Sequence, residues 1–161
     1  MHVYTYICIV KLEQAIKSDK FRDAQHKAAL NILYTAWWLK TVMSRELKAF
    51  DLTHEQYNVL RILKGKAPEE MCVKDIGSRM IEKNSNVPRI IDRLVLKNWV
   101  ARTTGSVDKR HTMMSLTPAG FEILEQSTKK INELFSGLVQ MDEQQSTLLN
   151  ELLEQFRSGE E

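Results

Sequence analysis

The fourteen residues SNVPRIIDRLVLKN, from Ser85 to Asn98, constrain the fold more than any other stretch of the chain. Val87, Ile90, Ile91 and Leu94 recur at i, i+3, i+4 and i+7, so a helix here buries a single stripe. Ser85 is placed to cap it, and Pro88 falls in its first turn, where a missing N–H costs little. The opposite face carries Ser85, Asn86, Arg89 and Arg93. Asn98 suits a left-handed C-terminal cap, because Asn tolerates positive φ better than most residues. After it, VART (100–103), the turn TGSVDKR and HTMMSL (111–116) read as strand, turn and returning strand.

The segment before this helix completes a motif. LTHEQYNVLRILKGK predicts a helix with Thr53 as N-cap and Gln56 at the capping-box position. APEE (67–70) reads as a loop, VKDIGSRMI (73–81) as a short helix, and EKN as a tight connection. Two short helices joined by a tight turn form a helix-turn-helix, and the hairpin behind them makes it winged. The second helix of such a pair lies in the DNA major groove. Ser85 and Asn86 then suit phosphate oxygens, helped by free backbone N–H groups at the helix start. Arg89 and Arg93 suit guanine, whose O6 and N7 accept a bidentate guanidinium. The hairpin tip projects toward the adjacent minor groove, where a guanidinium is favoured. Arg110 fits that contact, Asp108 holds it extended, and Lys109 meets phosphate.

Charge agrees with this placement. Residues 72–116 hold nine Lys/Arg against four Asp/Glu, while residues 117–161 hold three against nine. The basic segment is the helix-turn-helix and wing, which suits a polyanion partner.

Long helices flank the motif. Residues 23–50 read as one helix in which Leu30, Leu33, Tyr34, Trp37, Trp38 and Thr41 share a face. Ile32, Ala36 and Leu39 widen it, so it needs covering on more than one side, and a second subunit is a plausible cover. Thr117 and Pro118 start another long helix, and DEQQSTLLNELLEQF a last one with Leu148, Leu152 and Phe156 in line. The architecture expected is mainly α (α+β). It comprises an N-terminal extension of undetermined order (1–22), an N-terminal dimerisation helix (23–50), a winged helix-turn-helix DNA-binding region (51–116) and C-terminal dimerisation helices (117–161). Residues 1–10 fit either a partner-covered extension or a start ahead of the natural one.

Other chemistries find little support. His2, His26, His54, His111, Cys8 and Cys72 form no metal or nucleophile constellation, and no Gly-rich phosphate loop is present. We therefore expect no catalytic residues, metal or cofactor, and a cytoplasmic location.

Four blocks resemble the MarR family of bacterial transcriptional regulators: LTHEQYNVLRIL, CVKDIGSRM, SNVPRIIDRLVLKNWVAR and DKRHTMMSLTPAG. They occur in the family's order and at compatible spacing, and the likeness runs over residues 23–157. Asp108 and Arg110 fall on the family's wing D-x-R, and Arg89 on its recognition-helix arginine. Two positions depart from it: Pro88 replaces a usual Ser or Thr, removing a hydroxyl, and Asn98 replaces the usual Gly. The resemblance implies a homodimer binding a pseudo-palindromic operator, usually as a repressor, often released by a small ligand or an oxidant. It places a ligand cleft between the dimerisation helices and the winged domain, where Tyr34, Trp37, Trp38 and Tyr57 are candidates. Two alternatives remain open. One is a peroxide or thiol sensor on the same fold, using Cys8 near Tyr4 and Tyr6, or Cys72. The other is a winged helix that binds protein and not DNA.

Overall fold

The computed structural model describes residues 10–104 and 112–159. These residues form seven helices and one small sheet, grouped in two compact units, one ending at Arg45 and the other beginning at Glu46.

The first unit holds α1 (Leu12–Ile16) and most of α2 (Ala24–Lys48). α1 lies inside the stretch read as an extension. Glu13 ion-pairs with Lys27 of α2, whose ammonium also lies 5.5 Å from the centre of the Phe21 ring. Asp23 caps α2 by accepting the His26 N–H at 2.7 Å. That N–H, with the Arg22 guanidinium beside it, holds the Asp23 carboxyl below its ordinary range. The apolar face expected on α2 is present and largely uncovered in the single chain: Leu33 is 67% exposed and Trp37 59%.

The second unit carries α3 (His54–Lys66), β1 (Met71–Cys72), α4 (Val73–Arg79), α5 (Val87–Leu96), β2 (Val100–Thr104), β3 (Thr112–Leu116), α6 (Pro118–Leu138) and α7 (Glu143–Phe156). α3 begins with the predicted capping box. Thr53 Oγ1 accepts the Gln56 N–H, and Gln56 Oε1 accepts the Thr53 N–H. β2 and β3 form the expected hairpin, with Val100 opposite Leu116 and Thr104 opposite Thr112. One element was not expected: β1 adds a third, antiparallel strand on the far side of β3, pairing Met71 with Met114. Leu60, Leu63, Ile76, Ile91, Leu94, Val100, Met114 and Leu124 are buried, so α3, α4, α5, α6 and the sheet share one core.

The corner after α5 is tightly built. Asn98 has φ 57°, the left-handed turn its side chain tolerates. Thr117 caps α6 by accepting the Gly120 N–H, its hydroxyl donates to the Asn98 carbonyl at 2.7 Å, and its own N–H donates to the Trp99 carbonyl at 3.1 Å. Lys97 reaches from the end of α5 to the Asp51 carboxylate (2.8 Å) and lies over the Trp99 ring. α7, by contrast, buries nothing: Leu148, Leu152 and Phe156 are each more than half exposed.

Candidate nucleic-acid interface

α4, the connection after it and α5 make the helix-turn-helix. Met80 is buried at the end of α4, and the next N–H, that of Ile81, donates to Asn58 Oδ1 of α3 at 3.1 Å. The connection is therefore fixed from beneath. α5 turns Val87, Ile91 and Leu94 of the expected stripe inward and leaves Asn86, Arg89 and Arg93 exposed, while Ile90, the fourth stripe residue, is only half-buried and borders an open cavity.

The start of α5 differs from expectation. The cap is Asn86, not Ser85: Asn86 Oδ1 accepts the Arg89 N–H at 3.2 Å. The reason is register. Helical geometry begins at Val87, so Pro88 occupies the second position, and the Arg89 N–H is the donor a capping side chain must reach. Ser85 lies one residue too early; its Oγ is excluded from solvent and has no hydrogen-bond partner. The idea of free N–H groups for phosphate also needs correction. The Val87 N–H donates to the Ser85 carbonyl, Pro88 has none, the Arg89 N–H is capped, and the Ile90 N–H donates to the Asn86 carbonyl. The Asn86 cap uses only Oδ1, so among the polar groups at this helix start it is side-chain atoms such as the Asn86 amide nitrogen that the cap leaves unused.

The wing's base is held on two sides. Arg102 of β2 pairs with Asp92 of α5, and Thr103 Oγ1 donates to Glu70 Oε1 at 2.7 Å. The hairpin is thus tied to α5 and to the loop before β1. Its tip, with Asp108, Lys109, Arg110 and His111, lies outside the described residues.

A cavity of about 310 Å³ opens beside α5, lined by Thr53, Glu55, Gln56, Glu82, Ser85, Asn86, Arg89, Ile90 and Arg93. Glu55 and Glu82 were not singled out from sequence. Each is an ordinary charged residue in its own segment, and only the fold brings them to the arginine face.

The remaining candidates are spread over both units. Tyr34 and Trp37 are ring neighbours in the first, with centroids 5.5 Å apart, and Trp38 is partly exposed beside them. Tyr57 belongs to the second and is buried, with its hydroxyl donating to Thr128 Oγ1 at 3.2 Å. Cys72 is half-buried just before α4. Cys8, with Tyr4 and Tyr6, lies outside the described residues. No described helix is long and apolar enough to cross a membrane.

Comparison with known proteins converges on one family. Residues 52–112 match the model of the MarR family. The transcriptional regulator SarZ of Staphylococcus saprophyticus is 28% identical over 110 residues, covering 68% of this chain and 73% of that protein. SarZ of Staphylococcus aureus is 32% identical over 91 residues, covering 54% of this chain and 60% of that protein. Among solved structures, a MarR-like transcription regulator from Bacillus cereus superposes with a TM-score of 0.74 at 18% identity, covering 85% of this chain and 98% of that one. Staphylococcus aureus MepR in complex with DNA gives 0.73 at 22% identity, covering 81% and 96%. The organohalide-sensing regulator RdhR with 2,4-dichlorophenol bound gives 0.74 at 17% identity, covering 86% and 82%.

Proposed function

We propose, for a chain that belongs to the MarR family of winged-helix transcriptional regulators, that it is a homodimeric, cytoplasmic repressor whose α5 helices read the two halves of a pseudo-palindromic operator. The observation that carries this reading is the two-sidedness of α5. Val87, Ile91 and Leu94 are locked in the core while Asn86, Arg89 and Arg93 stand exposed on a fixed helix. Arg89 and Arg93 are assigned to guanine edges, Asn86 and Lys109 to phosphate, and Arg110, braced by Asp108, to the minor groove. Ser85 lies at the cavity wall behind them.

Dimerisation through α2, α6 and α7 is supported by the apolar surface each unit leaves uncovered: Leu33 and Trp37 in the first, Leu148, Leu152 and Phe156 in the second. Release by a small aromatic ligand is supported by the likeness to RdhR, solved with 2,4-dichlorophenol bound, and by the exposed Trp37 and Trp38 beside the half-buried Tyr34. The buried place of Tyr57 favours packing for that residue.

The test is selection of DNA from a random pool by the purified protein at near-physiological salt. Enrichment of a pseudo-palindrome with half-sites about one helical turn (~34 Å) apart is expected. Salt-sensitive general binding with no enriched sequence overturns it and leaves a nonspecific polyanion surface or a protein-binding winged helix.

A further inference from the structure

His54 and Glu55 begin α3, and Glu82 lies in the connection between α4 and α5, 27 residues further along. One imidazole nitrogen and one oxygen from each carboxylate lie within 4.8 Å of one another. We propose that these three side chains form a site for a first-row divalent transition metal, zinc in the first instance, and that filling it strengthens DNA binding. The second half of this proposal rests on the DNA-binding function proposed above; the first half does not.

The donor set selects the ion. Imidazole with carboxylates suits zinc and its neighbours, whereas magnesium and calcium prefer oxygen alone. Bonds of about 2.0–2.2 Å would draw the three ligand atoms to roughly 3.4 Å apart. Half-exposed side chains can make that contraction by rotating. Ser85 is an independent sign. Its Oγ is solvent-excluded and unpartnered in the wall of the cavity that Glu55 and Glu82 also line. Buried hydroxyls are seldom left so, and one beside a metal can bond the water that completes its coordination. Glu55 and Glu82 each already take part in another interaction in this conformation, so the ion must compete with it.

The link to DNA is electrostatic. Arg89 and Arg93 line the same cavity, so two carboxylates stand beside the surface that must approach phosphate. They repel the duplex and compete with it for the guanidinium groups. A divalent ion cancels both charges and joins α3 to the helix-turn-helix connection. The expected effect is a gain of about tenfold in DNA affinity, shrinking as salt rises.

Zinc chloride is titrated by calorimetry into the full-length protein, freed of metal by chelator. One ion per chain at micromolar affinity or tighter is expected, with no comparable heat from magnesium. His54→Ala and Glu82→Gln should each weaken it at least about tenfold, while leaving the zinc-free melting midpoint in place. No binding at about 0.1 mM zinc, far above that affinity, or binding that survives both substitutions, overturns the site. DNA affinity is then read by fluorescence anisotropy. Zinc should tighten the parent protein's binding and leave Glu82→Gln unmoved, and that variant should bind more tightly than the zinc-free parent. Zinc bound without change in DNA affinity overturns the coupling. A protein that binds no DNA with or without zinc overturns the proposed function, and the calorimetry still decides the site.

Discussion

Replacing Gly120 with Ala should damage this fold, although glycine is a poor helix residue and alanine the best. A Cβ built at Gly120 meets the Trp99 carbonyl oxygen at 2.0 Å and its carbon at 2.9 Å. An ordinary carbon–oxygen contact is about 3.2–3.4 Å, so the first turn of α6 would have to retreat by roughly 1.2 Å or more. The same carbonyl accepts the Thr117 N–H at 3.1 Å, and Thr117 is both the cap of α6 and the partner of Asn98. Overpacking against backbone costs ~1–3 kcal/mol, and the strained hydrogen bond adds ~1 kcal/mol. Helix propensity returns only ~1 kcal/mol, so the net loss is about 1–3 kcal/mol. Gly65 and Gly137, also helical, have nothing within 4 Å of the corresponding position. Their alanine variants should gain up to ~1 kcal/mol. Urea unfolding of all three at one protein concentration reads the difference, since in the proposed dimer stability would depend on concentration. Gly120→Ala as stable as the parent, or all three changes of one sign, would refute the close-approach reasoning.

The remaining predictions concern the reading surface and the subunit contact. Arg89→Ala should lose ~1–3 kcal/mol of discrimination at one base of the selected site, measured with single-base variants of that site. Arg110→Ala should weaken all sequences alike and lower the salt slope of binding by about one. Asn86→Ala removes the cap of α5 and should cost ~1 kcal/mol in unfolding, while Asn86→Asp keeps the cap but places a carboxylate before DNA. The aspartate variant is therefore expected to be stable and to bind weakly. Leu152→Glu, on the uncovered face of α7, should shift sedimentation from dimer to monomer and abolish tight operator binding; an unchanged dimer would remove α7 from the interface.

What could be read from the residues was what local physics decides. The stripe of α5, the Thr53–Gln56 capping box, the positive φ at Asn98 and the Thr117–Pro118 start of α6 each depend on a few neighbouring side chains. The features that escaped depend on distant partners. β1 is two residues long, too short for any periodicity, and exists because β3, some forty residues on, offers an open edge. Gly120 could be matched to a motif, but its reason is the Trp99 carbonyl. Glu82 reads as one more charge in a turn until the fold sets it beside His54 and Glu55.

The misplaced cap of α5 has the widest consequence for function. A helix that starts one residue later than Ser85 suggests, with proline in its second position, has spent its first-turn donors within itself. Its N-terminus cannot hold phosphate through backbone N–H groups, the usual economy of such helices. In the proposed docking, register on DNA comes from charged and amide side chains, each releasing or screening counterions as it binds. Affinity should accordingly fall steeply with salt. It should also respond to any charge placed beside Arg89 and Arg93, and Glu55 and Glu82 already stand there. The proposed docking therefore predicts that changing the charge around this cavity, as in Glu82→Gln, alters DNA affinity more than a neutral change on the exposed face of α5 does, measured by anisotropy at two salt concentrations.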